Sequence, residues 1–98
     1  MPKERAGVGH VYHLYVVACA ERDNLMAYLA DRRIGCAIHY PVPVHRQNGY
    51  TERAIVPSDG LPVTEQLCGQ ILSLPLYPEL SDAEVDRVID AVRCFFRR

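Results

Sequence analysis

The chain has 98 residues, which fits one small domain and leaves no room for a second. Its 11 basic and 12 acidic side chains give a formal net charge of -1, so the charge balance favours neither nucleic acid nor an anionic membrane as partner. A chain of this size buries only about 60–65% of its unfolded surface, so the core is expected to be thin.

Residues 1–9 read as a flexible N-terminal stretch ahead of one domain at 10–98. No apolar h-region follows Met1 to Arg5, so this start is not read as a signal peptide. His10 to Ala18 (HVYHLYVVA) is dense in valine, tyrosine and leucine and reads as a strand. The apolar run around Val11 to Ala20 is too short and too polar to span a bilayer. A helix is expected from Glu21 to Arg33, with Leu25, Met26, Leu29 and Ala30 on one face. Arg32 and Arg33 close it, where cations complement the dipole, and Gly35 stands where a left-handed cap is wanted. Cys36 to Tyr40 (CAIHY) then reads as a short second strand that stops at Pro41.

From Pro41 to Leu61 the composition changes. Pro41, Pro43, Gly49, Pro57 and Gly60 are spread among polar residues, aromatics and histidines. Loops of about twenty residues are uncommon in compact domains and usually carry function or lack order; the aromatics and histidines favour an ordered, functional loop here. Pro62 opens a second helical stretch with Val63, Leu67 and Ile71 on one face. Ile71 to Leu76 (ILSLPL) passes into a short strand, with Pro75 marking its end or an edge. Ser81-Asp82-Ala83-Glu84 is a capping box, and Leu80 with Val85 can form the accompanying staple. Val85, Val88, Ile89, Val92 and Phe96 mark one face of the last helix. The expected fold is a two-layer α/β sandwich: a small sheet with about three amphipathic helices laid on it.

The side chains that could carry chemistry are few. His10 and His13 are three apart on an expected strand and so point to opposite faces, and His39 and His45 converge only if the intervening loop bends; a metal centre is not expected. His13 reads best as a residue packed and hydrogen-bonded within the sheet. Cys19, Cys36, Cys68 and Cys94 are far apart with no CxxC pair, and read as free, mostly buried thiols of a cytoplasmic protein. No GxSxG, phosphate-cradling glycine loop or paired-carboxylate site is present. The segment His39-Tyr40-Pro41-Val42-Pro43-Val44-His45, continuing to Gln47 and Tyr50, stands apart. Two prolines stiffen it, while its histidines and tyrosines offer proton donors and acceptors near neutral pH. That is the composition of a substrate-facing loop, although a rigid surface turn would also account for it.

The run IGCAIHYPVPVHRQ, the upstream VYHLYVV and the downstream LSLPLYPELSD occur in an order and spacing that resemble the C-terminal domain of the DegT/DnrJ/EryC1/StrS family. Those are aminotransferases dependent on pyridoxal 5'-phosphate that act on nucleotide-linked keto-sugars. The resemblance implies the fold of the small domain of aspartate-aminotransferase-type (fold type I) enzymes, which closes over substrate beside a large cofactor-binding domain. It also implies glutamate as amino donor and a homodimer in the complete enzyme, and it makes His45, His39 and Tyr40 candidate substrate-binding residues. Asn48 departs from the family, in which a proline is common after the glutamine.

A larger departure concerns the cofactor. The family's active-site lysine forms a Schiff base with pyridoxal phosphate, and the only lysine in this chain is Lys3, in the polar stretch before the first strand. A Schiff-base lysine must be desolvated or otherwise tuned in a pocket, so no catalytic residue and no cofactor are expected within this chain alone. The large domain would then be the partner that is missing, and activity by the chain alone is not expected. Two other readings stay open: a fragment of a sugar dehydratase of the same family, and a non-catalytic binding module built on the inherited fold.

Overall fold

The computed structural model describes all residues from Met1 to Arg98. β-Branched and aromatic residues at Tyr15–Ala18 form strand β1, and Ile71–Leu74 forms β2. The two pair antiparallel, with Tyr15 opposite Leu74, Val16 opposite Ser73, Val17 opposite Leu72 and Ala18 opposite Ile71. Side chains alternate across a strand, so Val17 and Leu72 share the face that becomes the core, with Tyr15 and Leu74 beside them. Val16 and Ser73 point to the opposite face. β1 is shorter than the expected His10–Ala18 because Pro75 ends β2 after Leu74, and residues upstream of Tyr15 therefore find no partner strand. His13 consequently lies exposed ahead of β1 and is not a packed sheet residue.

The expected second strand at Cys36–Tyr40 shrinks to a single bridge. Ala37 exchanges both backbone hydrogen bonds with Ser73, at 3.2 and 2.8 Å, on the edge of β2 away from β1. Pro41 has no N–H to extend the ladder.

Helix α1 runs over Arg22–Asp31 and buries Leu25 and Leu29. Its closure differs from the expected glycine cap. Arg33, not Gly35, takes the left-handed conformation, with φ 58°. The Ile34 N–H reaches back to the Leu29 carbonyl at 3.0 Å and the Arg33 N–H to the Ala30 carbonyl at 2.9 Å. This is the Schellman bonding pattern, and burial of both Ile34 and Leu29 supplies its apolar contact. Helix α2 covers Pro62–Cys68, with proline in its first turn. Its expected apolar face stays largely exposed at Val63 and Leu67, and Ile71 belongs to β2.

Helix α3, Asp82–Arg97, carries the expected capping box. The Glu84 carboxylate accepts from the Ser81 N–H and hydroxyl, both at 2.8 Å, while the Ser81 hydroxyl accepts from the Glu84 N–H at 3.2 Å. Its buried residues are Ala91 and Phe95, flanked by Val88 and Val92; Val85, Ile89 and Phe96 are exposed. The core is one cluster of Val17, Leu25, Leu29, Ile34, Leu72, Ala91 and Phe95, so two helices and a turn cover one face of the sheet. The four cysteines are free; Cys94 is exposed and the other three are half-buried, which makes them more accessible than the sequence suggested. No helix is long and apolar enough to cross a membrane.

The Ser81 bonds, its backbone N–H first, hold the Glu84 carboxyl below its ordinary value of 4.5. A carboxyl depressed in the folded state contributes stability that is complete above about pH 4.5 and lost as pH falls through the lowered value. The stability difference between the native chain and a Glu84→Gln variant should therefore be largest near neutrality and close as pH drops below 4. Urea midpoints across that range (about pH 3 to 7) read the effect; a difference independent of pH would show that the ionised carboxylate is not what caps α3.

Candidate functional site

The segment between Pro41 and Leu61 is built around short local hydrogen bonds. Pro43, in extended backbone, leads into one turn of 3-10 helix at Val44–Arg46. The Arg46 N–H bonds the Pro43 carbonyl at 2.9 Å, and the Gln47 N–H bonds the Val44 carbonyl at 3.1 Å. The Gln47 side-chain amide donates to the Val42 carbonyl at 3.2 Å and closes the turn on itself. Two prolines fix φ on either side of Val42, so little backbone entropy remains to be lost here.

His45 projects from this turn onto α2. Its Nε2 lies 3.0 Å from Glu65 Oε1, and its side chain is only 11% exposed. Arg46 Nη2 reaches the same oxygen at 3.1 Å. The hydrogen bond from His45 is the main cause holding the Glu65 carboxyl below its ordinary value; bonding to the Leu61 backbone and the charge of Arg46 add to it, and partial burial opposes it. Gly60 makes room for this carboxylate. Its φ of +76° is a glycine conformation, and a Cβ there would lie 3.1 Å from Glu65 Oε1.

His39 is engaged elsewhere. Its Nδ1 lies 2.9 Å from the hydroxyl of Ser73, a buried residue of β2, and its ring meets Tyr40 edge-on with centroids 5.5 Å apart. Tyr40 itself is 68% exposed. It lines, with Pro41, Val42, Arg46, Gln47 and Asn48, an open depression of about 510 Å³. Of the three sequence-derived candidates, Tyr40 thus faces this depression, His45 is turned to α2 and His39 to the sheet.

Glu65, Arg46 and Ser73 were not anticipated from the sequence as members of the site. Glu65 lies twenty positions after His45, and the only available signal was a carboxylate in the first turn of the helix that follows the loop. The arrangement can position a histidine ring and present a phenol, a guanidinium and two amides to a polar ligand. It brings no group of three or more His, Cys, Asp or Glu side chains together as a metal would require.

Residues 1–93 match the profile of the DegT/DnrJ/EryC1/StrS aminotransferase family. The chain belongs to that family. Among its relatives in the family, the dTDP-3-amino-3,4,6-trideoxy-alpha-D-glucose transaminase of Micromonospora megalomicea subsp. nigra is 44% identical over 94 residues, covering 95% of this chain and 25% of that one. A DegT DnrJ EryC1 StrS aminotransferase from Brucella abortus superposes with a TM-score of 0.88 at 38% identity, over 96% of this chain and 25% of that one. Streptomyces venezuelae DesV, solved with a ketimine intermediate, superposes with a TM-score of 0.83 at 43% identity, over 90% and 24%. The chain spans about a quarter of the length of each. These likenesses confirm the small α/β fold as that of a domain from fold type I aminotransferases of this family, and they match the family read from the HYPVPVHRQ loop and its two flanking motifs.

Proposed function

We propose that residues 10–98 act as the small domain of an aminotransferase that moves an amino group from glutamate to a nucleotide-linked keto-sugar, with His45, Tyr40 and His39 in the wall that meets the substrate. The observation that carries this reading is the amount of surface left uncovered. The chain exposes 7644 Å², against about 5,700 Å² for a self-contained monomer of this size. Its radius of gyration is 16.1 Å, where a free-standing domain of this length would have about 13 Å. Only 9 of 98 residues are buried, and Val42, Val44, Ile55, Val63 and Leu67 expose apolar surface along the loop and α2. Surface of this kind is what a domain shows when its other half is a second domain.

The residues present do not make a pyridoxal phosphate site. Lys3, the only lysine, is exposed in the N-terminal stretch, without the enclosing pocket that a Schiff-base lysine needs. In this reading the cofactor and its chemistry belong to a large domain, in a homodimer such as the family forms. This chain contributes binding, orientation and the exclusion of water from one side of the site. The Micromonospora relative, a transaminase named for a dTDP-linked amino-trideoxy sugar, favours a deoxy-keto-sugar carried on a nucleoside diphosphate as the substrate class.

A domain exchange tests this. The matching quarter of the Micromonospora transaminase would be replaced by this chain and the chimaera assayed with glutamate and its keto-sugar nucleotide. The chimaera is expected to turn over, and His45→Ala within it should lower kcat/KM by about 10-fold or more. A chimaera that folds and binds cofactor with full affinity yet turns over no substrate would sink the reading; so would His45, Tyr40 and His39 variants that all left kcat/KM unchanged.

A further inference from the structure

The contact between His45 and Glu65 determines more than where the loop lies. Glu65 is held ionised, and a carboxylate can only accept, so the ring nitrogen 3.0 Å from its Oε1 must carry the hydrogen. That nitrogen is Nε2. In the neutral ring the lone pair then sits on Nδ1. No side chain or backbone group of this chain bonds Nδ1, and no buried side-chain polar atom in the molecule lacks a partner; Nδ1 is therefore open to solvent even though most of the ring is covered.

The carboxylate is itself over-determined. Arg46 pairs with the same oxygen at 3.1 Å, the first turn of α2 fixes its backbone through the Glu65 N–H to the Leu61 carbonyl at 2.9 Å, and Gly60 leaves the space it fills. A residue placed only to stitch a loop to a helix would not need three constraints on one oxygen and its backbone. Holding a ring in one tautomer with the opposite nitrogen free is what such constraints accomplish.

We propose that Glu65 is a positioning residue: it locks His45 as the Nε2–H tautomer and presents the Nδ1 lone pair outward, as an acceptor for a hydroxyl or ammonium hydrogen of the ligand. This rests on the reading of the loop as substrate-facing, but its first part stands or falls on the chain alone.

Two experiments divide the question. In the ¹⁵N-labelled chain at about pH 8, above the ordinary histidine range, long-range ¹H–¹⁵N correlation of the His45 ring should show a pyrrole-like Nε2 and a pyridine-like Nδ1 with no averaging between them. Glu65→Ala should give a ring that averages between tautomers while the rest of the spectrum keeps the native fold. A wild-type ring that is Nδ1-protonated, or as averaged as in Glu65→Ala, overturns the proposal. In the chimaeric transaminase, Glu65→Ala and His45→Ala should each lower kcat/KM by about 10-fold, and the double variant by no more than either alone, because the two act as one unit. Additive losses, or a Glu65→Ala loss confined to thermal stability, also overturn it. If the tautomer is locked but neither variant changes kcat/KM, the presentation of Nδ1 to ligand is refuted and the fault lies with the substrate-facing reading of the loop.

Discussion

Phe95→Ala should destabilise the chain by about 3–5 kcal/mol, while Phe96→Ala should cost less than about 1 kcal/mol. The two phenylalanines are adjacent in sequence, in the same helix and in edge-on contact at 5.1 Å, so only burial separates them. Phe95 is 2% exposed and Phe96 is 58% exposed. Phe95 is the largest side chain in the core, meets Tyr28 edge-on at 5.3 Å, and carries the Arg98 guanidinium over its ring at 4.0 Å. Its removal leaves a cavity against Leu25, Leu29 and Leu72 that a core of seven apolar residues has little means of refilling. Small domains are stable by only about 5–15 kcal/mol, so Phe95→Ala should remove a large share of the protein's stability. Urea titrations followed by circular dichroism compare the two variants directly. Equal losses would mean that α3 is rotated by about one residue, or 100°, from the orientation described.

Arg22→Met should cost about 2–3 kcal/mol, although arginine at a helix start is ordinarily a poor choice. As the first residue of α1 its charge opposes the helix dipole, so the residue must be retained for what it touches. Its Nη1 donates to the Cys68 carbonyl at 3.2 Å and to the Ile71 carbonyl at 3.0 Å, and its Nε to Asp23 at 2.6 Å. The Ile71 carbonyl points to the same edge of β2 as the Ser73 carbonyl, away from β1, where no further strand residue reaches it. Arg22 thus pairs an edge acceptor and joins α1 to the turn between α2 and β2. Methionine keeps the apolar stem and strands both carbonyls. Arg22→Lys keeps the charge, but a compact ammonium cannot span the same fork, and it should recover less than half of the loss. Native-like urea midpoints for both variants would show that these bonds add nothing net over solvation of the same groups.

Local patterns in the sequence transferred to the structure where their cause is local. The capping box of α3 needs only Ser81 and Glu84 three positions apart, and Pro62 and Pro75 act through their own rings. Features decided by tertiary packing did not transfer. The apolar positions of α3 span a wide arc, and the spacing of Val85, Val88, Ile89, Val92 and Phe96 pointed to Phe96 and passed over Phe95, the residue that is buried; which half of the arc meets the sheet depends on where α1 lies. Gly35 was the natural left-handed residue after α1, but Ile34 had to reach the core, and that placed the reversal two residues earlier, at Arg33. The second strand failed because a run that looks extended needs a partner of matching length, and β2 offers Ala37 a single residue. For the site, the HYPVPVHRQ motif located the loop and its histidines, but their hydrogen-bond partners, Ser73 and Glu65, lie 34 and 20 residues away and carry no periodic signature.

The loop is tethered near both ends of its motif to one short length of chain. His39 grips Ser73 in β2, and His45 grips Glu65 in α2; α2 and β2 are joined through Gly69 and Gln70 alone. Motif, helix and strand therefore form a single mechanical body. The segment cannot swing as a flap on its prolines without breaking both tethers. If the site opens and closes during turnover, the displacement must occur at the domain's outer boundary, carrying histidines, phenol and guanidinium together as a rigid jaw whose pivot lies outside the loop.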